Sequence, residues 1–211
     1  MSLLSGPYTP ADVERQGPFV VIEGVSGVGK STLTRAVAEQ LGAVTLHTLP
    51  EPMTRLSSAV NREARALPQF AFYLSGALHA SDVISEGLAK GPVVADRYLS
   101  SVIACHAAVN GVPVEAVRRL VAPFASYFTV PDHTFYLLCS EKTLRARMKN
   151  KSDLKEDDTA LFDVPGRLST LLRNFAAVAA EDPTGVVLDT DDQTPEELAA
   201  TIVTTLEISR A

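Results

Sequence analysis

The segment Gly24-Val25-Ser26-Gly27-Val28-Gly29-Lys30-Ser31 sets glycine, lysine and hydroxyl at the spacing G-x-x-x-x-G-K-[ST], the pattern of a loop that cradles the phosphates of a nucleoside triphosphate. Glycines let the backbone curl until successive N–H groups point inward at phosphate oxygens. A helix opening at the loop adds its positive end. Lys30 then reaches the outer phosphates, and the Ser31 hydroxyl, with Thr32 beside it, suits Mg²⁺. From average residue frequencies the pattern arises by chance in roughly one chain in a hundred of this length. Here it also follows an apolar run, Phe19-Val20-Val21-Ile22, and opens a helical one.

Two more groups follow predicted strands. Asp96-Arg97-Tyr98 comes straight after Val93-Val94-Ala95. An acid there can hold Mg²⁺ or its waters, and an arginine beside it can grip a transferring or acceptor phosphate with its fork of donors. The plainer alternative is a helix start with an Asp cap and a surface Arg. Glu51 stands between Pro50 and Pro52, where the prolines predict extended backbone. It is a candidate to accept the proton of an attacking hydroxyl or to hydrogen-bond an acceptor sugar; an ordinary loop glutamate is the alternative.

Arg145, Arg147, Lys149, Lys151 and Lys155 crowd one region. Phosphoryl transfer spreads negative charge, and mobile cations that close over it are a common solution. Asp153, Glu156, Asp157 and Asp158 dilute that charge, so a solvated loop is the competing reading. Among Phe70, Phe72 and Tyr73, one ring is a candidate to stack a base; aromatic residues at helical spacing also serve the core. His79 and His106 have no partners at metal-ligand spacing.

These residues need elements to hold them. Helices are expected over Thr32–Leu41, stopped by Gly42, then over 54–66, 69–89, 99–109, 114–128, from Glu141 and over 166–180. Pro195–Ile208 closes the chain as a helix entered through Thr194 as N-cap. Between them lie five short apolar runs: 19–22, 44–46, 93–95, 134–139 and 186–188. Buried strands alternating with helices predict a P-loop NTPase fold, a three-layer α/β/α sandwich with a five-stranded parallel sheet. Ligands of such sheets sit beyond the carboxyl ends of the strands. That makes Gly24–Ser31, Pro50–Pro52, Asp96–Tyr98, Ser140 and Asp189–Asp192 the positions of interest.

The chain has 211 residues, 46% of them hydrophobic, enough for one α/β domain over 18–211 with a sizeable core. Residues 1–17 read as a disordered leader, and the charged, weakly patterned stretch around 149–162 as a lid. A net charge of −6 argues against nucleic acid as a partner. No run approaches the roughly 18 apolar residues of a membrane span. Cys105 and Cys139 lie far apart, predicting a reduced, cytoplasmic protein without disulfides.

Strand–GVSGVGKST, then PEP, DRY-x-x-S and PDHTFYLL before a helix carrying Arg145 resembles the thymidylate kinases, from about Phe19 to Leu206. The resemblance implies transfer of the γ-phosphate of ATP, with Mg²⁺, to dTMP or a related nucleoside monophosphate. It implies that Lys30 and Ser31 serve ATP–Mg²⁺, that Asp96 lies at the metal and that Arg97 holds the acceptor phosphate. Phe72 would stack on thymine, Arg145 would pack against adenine, and Ser101 of DRY-x-x-S joins the substrate site. The relatives are commonly dimers through their long helices, so a homodimer through Phe70–Leu88 is a candidate assembly.

The chain departs from that pattern at the acceptor. Ser26 stands where the family usually has Asp, and Ser75-Gly76 where it usually has an Asp-Arg pair whose arginine reads the thymine edge. Cys105 replaces a tyrosine that lies against the sugar, and Lys149 replaces a lid arginine. Pro50-Glu51-Pro52-Met53-Thr54-Arg55-Leu56 is also similar to the Glu-Pro segment of deoxynucleoside kinases, in which the glutamate activates a 5′-hydroxyl. Three readings follow: a monophosphate kinase, a deoxynucleoside kinase using Glu51 as base, and a nucleotide-binding protein without catalysis.

Overall fold

A computed structural model describes residues 8–11, 13–149 and 162–209. In chain order the elements are β1 (Phe19–Gly24), α1 (Lys30–Leu41), β2 (Val44–His47), α2 (Ser57–Glu63), α3 (Ala66–Leu88), β3 (Val93–Asp96), α4 (Leu99–Asn110), α5 (Val114–Val121), β4 (His133–Leu138), α6 (Glu141–Lys149), α7 (Arg167–Ala180), β5 (Gly185–Asp189) and α8 (Pro195–Ile208). The strands form one parallel sheet in the order β2-β3-β1-β4-β5. Helices α1 and α8 pack on each other; α4 packs against α3 and α7. These are the two helical layers of the expected sandwich.

The β-branched and aromatic residues of β1 make it the centre of the sheet. Phe19, Val20, Val21 and Ile22 are at most 1% exposed, as a strand covered on both faces requires. The register pairs Ile22 with Asp96 on one side and Phe135 on the other, and Glu23 with Tyr136. Asp96 is thereby delivered to the carboxyl end of the sheet, next to the loop that leaves β1. Not all five strands are buried as expected. In β2, Val44, Thr45 and His47 are exposed, and in β5 Val187 and Asp189 are exposed. These are the two edges, with a neighbour on one side only.

Two expected helices are broken. The span 54–66 divides into a 3₁₀ turn (Met53–Leu56), α2, and an extended break at Ala64. The span 114–128 stops as an α-helix at Val121 and continues as a 3₁₀ turn, Ala122–Tyr127, whose early Pro123 cannot donate to the preceding turn. The stop at Gly42 holds: its left-handed backbone lets its N–H bond to Ala38 O. At α8, Thr194 Oγ1 accepts from Glu197 N while Glu197 accepts from Thr194 N, a full capping box. Residues 15 and 16 are tied to the rest of the chain: Arg15 donates to Val130 O at 3.0 Å and Gln16 N to Leu88 O at 2.7 Å. Among the described residues no helix is long and apolar enough to cross a membrane, and neither cysteine is in a disulfide.

Candidate active site

The loop between β1 and α1 is built on glycines that no other residue could replace cheaply. Gly24 has φ +142° and a Cβ there would lie 2.7 Å from Leu137 O; Gly27 has φ +83° and a Cβ would overlap Met148 Sδ. At its end, Lys30 is 6% exposed and donates from Nζ to Val25 O at 2.7 Å. Burial, reinforced by the nearby Arg97 guanidinium, lowers its pKa to about 7, against the opposing pull of Asp96 and Glu23. The ammonium is thus folded back on the loop's own backbone.

Ser31 Oγ donates to Asp96 Oδ2 at 2.5 Å. The other oxygen, Oδ1, is buried without a hydrogen-bond partner. A buried, half-satisfied carboxylate beside a serine hydroxyl is a poor structural arrangement and a good hard-cation one. Among the described residues no cluster of three His, Cys, Asp or Glu side chains could hold a metal unaided. That fits Mg²⁺, which takes one or two protein oxygens and fills its octahedron with phosphate and water.

Arg97 sits in left-handed backbone, φ +71°. Its N–H is anchored to Ile22 O, and its Nη1 donates to Gly24 O at 3.2 Å and Ser101 Oγ at 3.1 Å. Ser101 in turn donates to Glu23 Oε2 at 2.5 Å, while Glu23 Oε1 accepts from the backbone N–H of Tyr98 and Ser101. Ser101, expected among the substrate-binding residues, instead spends its hydroxyl between Glu23 and Arg97. Glu23 was not among the expected site residues. It is fully buried, caps the start of α4, and its carboxyl pKa is raised by that burial. The available signal was an acid ending an otherwise apolar strand, one residue before the first glycine of the loop.

The acceptor side is assembled around α2 and α3. Phe72 is half-buried, with Tyr73 edge-on at 5.4 Å. Tyr73 donates from its hydroxyl to Asn61 Oδ1 at 2.8 Å, which docks α2 on α3. Phe70 belongs to the core, against His106 at 5.1 Å. Cys105, on α4, is half-buried. Glu51 is exposed and paired with Arg55 at 3.1 Å. Its segment is not extended: Met53 N closes a turn onto Pro50 O, and the Glu51–Pro52 bond is cis.

The described cations after β4 differ in their surroundings. Arg145 is exposed, paired with Glu141 at 2.7 Å, and lies over the Phe162 ring at 5.0 Å. Arg147 turns inward, donating to Val28 O at 2.9 Å and to Thr190 Oγ1 at 2.8 Å. It therefore ties α6 to the phosphate loop and to the end of β5. Lys149 is exposed. Lys151, Lys155 and nearly all of the expected lid lie outside the described residues. Beyond β4 and β5, Ser140 N donates to Asp191 Oδ1 at 2.8 Å, closing the far rim.

The thymidylate kinase family model matches residues 22–202. Among curated proteins, a thymidylate kinase of Leifsonia xyli subsp. xyli is 31% identical over 204 residues, covering 89% of this chain and 93% of its own. One of Rhizorhabdus wittichii is 27% identical over 208 residues, covering 90% and 97%. The solved thymidylate kinase of Candida albicans superposes with a TM-score of 0.74 at 17% identity, covering 94% of each chain. That of Ehrlichia chaffeensis gives 0.67, covering 91% of this chain and 99% of its own.

Proposed function

The chain belongs to the thymidylate kinase family, and from that premise we infer that it is a nucleoside monophosphate kinase moving the γ-phosphate of ATP to dTMP. The observation that carries the reading is Arg97 Nη1 on Gly24 O at 3.2 Å. It supports a role for Arg97 as the hand that holds an acceptor phosphate beside the donor-phosphate cradle. A protein that only bound ATP would have no use for it.

The chemistry is positioning and charge neutralisation rather than covalent catalysis. The backbone N–H groups of Gly24–Ser31 and the positive end of α1 hold the donor phosphates. Lys30 leaves Val25 O for the transferring group, and Arg97 holds the acceptor phosphate in line. Ser31 and Asp96 would hold Mg²⁺, which supplies charge neutralisation at the phosphate oxygens when bound. Thr32 and Arg145 complete the donor side; Phe72 stacks the base, with Tyr73 and Cys105 lining the acceptor. Glu51 lies at the acceptor rim. A monophosphate oxygen is already ionised and needs no strong base, which suits a glutamate that is exposed and paired with Arg55.

Assembly as a homodimer through α3 and a cytoplasmic setting belong to the same reading. Ala71, Ser75, His79 and Glu86 are exposed on α3 and would form the contact. The test is an acceptor screen with ATP–Mg²⁺ over dTMP, other nucleoside monophosphates, thymidine and deoxycytidine, read as ADP release and phosphorylated product. dTMP is expected to be converted to dTDP. Product from nucleosides alone would replace this reading with the nucleoside kinase one, and tight ATP binding with no acceptor would replace it with the non-catalytic one.

A further inference from the structure

Among the described residues only Leu49 and Arg97 combine a side chain with positive φ, at +82° and +71°. The two are joined. Thr48, next to Leu49, donates from Oγ1 to Arg97 O at 2.5 Å, and its N–H reaches Asp96 O at 3.3 Å. On the other side Thr54 Oγ1 donates to Leu49 O. Left-handed backbone at a non-glycine residue persists only where the surroundings over-determine it, and such residues gather at ligand clamps. A glycine or asparagine would meet the backbone demand at less cost. The leucine side chain itself must therefore have a use.

Leu49 is 7% exposed, and its Cδ2 lies 2.4 Å from where a Cβ on Gly76 would stand; Met53 Cε lies 3.7 Å from the same point. Gly76 is one turn along α3 from Phe72, on the same face. A base stacked on Phe72 therefore has the Leu49–Gly76 contact beside it. As Leu49 stands, a side chain at position 76 would have to displace its methyl groups, which fill that space instead. Several polar side chains of α3 and α4 already have protein partners: Gln69 and Tyr73 bond Asn61, His106 bonds Asn110, and Ser101 bonds Glu23.

We propose that Leu49 is a specificity-determining residue: packed on Gly76 beside Phe72, it gives the acceptor base an apolar wall in place of hydrogen-bond readout, so pyrimidine monophosphates are told apart by shape and methyl burial alone. This rests on the monophosphate kinase reading. A missing methyl in an apolar pocket changes kcat/KM by roughly 10–200-fold, whereas a site that hydrogen-bonds its substrate rejects the wrong polar pattern by roughly 10⁴–10⁵.

The experiment compares dTMP, dUMP and dCMP by kcat/KM with ATP, and by Kd in titration calorimetry, for the natural chain, Leu49→Ala, Leu49→Met and Leu49→Ala/Gly76→Arg. The natural chain is expected to keep all three within about 200-fold. Leu49→Ala shrinks the dTMP/dUMP ratio and Leu49→Met retains it. The double variant, which gives a guanidinium room to donate to a base carbonyl, spreads dTMP over dCMP well beyond the natural chain's ratio. Rejection of dCMP by more than about 10⁴ in the natural chain, or ratios indifferent to Leu49→Ala, overturns the proposal. Failure of all three to turn over would end the kinase reading, with the Kd ratios still deciding this one.

Discussion

Glu23 and Ser101 meet at 2.5 Å, carboxylate oxygen to hydroxyl, with Glu23 wholly shielded from solvent. The pair joins two parts of the site that the chain separates by 78 residues. Glu23 ends the central strand; Ser101 opens α4 and receives Arg97 Nη1. Glu23 thus positions Arg97, the proposed acceptor-phosphate arginine, through Ser101, and caps α4.

Glu23→Ala leaves the buried N–H groups of Tyr98 and Ser101 unpaired, each costing about 1–3 kcal/mol. A fall in melting temperature is expected, together with a rise in KM for the monophosphate greater than for ATP. Glu23→Gln keeps one acceptor oxygen and should recover most of the stability but not the acceptor KM. Differential scanning fluorimetry beside steady-state kinetics separates the two effects. Equal rises in both KM values would show that Glu23 has no special tie to Arg97.

Lys30 predicts proton uptake on ATP binding. Its pKa is lowered to about 7 without nucleotide, and a polyanion in the cradle raises it. The sign follows: binding is strongest where Lys30 is already charged, below pH 7, and weakens by up to roughly tenfold per pH unit above it. At pH 8, calorimetry of ATP–Mg²⁺ binding in buffers of different ionisation enthalpy should show close to one proton taken up. Lys30→Met should abolish the uptake.

Arg147 is expected to act on ATP rather than on the acceptor. Its guanidinium fixes the Val28 carbonyl and Thr190, and loss of hydrogen bonds from a charged donor costs about 1.5–3 kcal/mol. Arg147→Met should raise KM for ATP roughly 10–100-fold, the same energy as a ratio, with the acceptor KM nearly unchanged. A solvated lid cation would instead lower kcat and leave KM for ATP alone.

Asp96→Asn removes the charge from the carboxyl whose Oδ1 has no protein partner. The Mg²⁺ concentration for half-maximal activity should rise about 10–100-fold, a span typical of lost metal-shell groups. Binding of metal-free ATP, followed by calorimetry, should change little. An unaltered Mg²⁺ midpoint would place the metal elsewhere.

Glu51→Gln discriminates the acceptor classes. Removing a general base costs roughly 10²–10⁴ in rate. A monophosphate kinase should lose less than about tenfold here, because its nucleophile is already ionised. A loss in the larger range, measured with dTMP saturating, would revive a role for Glu51 in proton transfer.

The glycine-rich loop and the strand it follows are legible in the sequence residue by residue. Gly24–Ser31 is a local pattern whose glycines, lysine and hydroxyl carry their geometry in a few bonds of backbone, so order along the chain suffices to read it. The position of Asp96 and Arg97 beside that loop is legible for a related reason: a short apolar run announces a strand, and ligands of a parallel sheet sit beyond its carboxyl ends. Helix breaks were harder. The division of 54–66 turned on Ala64 adopting extended backbone, and tertiary context, not propensity, decided that.

What the sequence by itself determined is the fold, the phosphate cradle and the family. It also marked Gly76 and Cys105 as positions where the acceptor pattern changes. Only the tertiary structure decided what fills those changes, because the answers are contacts between distant segments. Leu49 reaches Gly76 across 27 residues, Glu23 reaches Ser101 across 78, and Arg147 reaches Val28 across 119. Burial and hydrogen-bond satisfaction are properties of such pairs, and no single stretch of chain contains them.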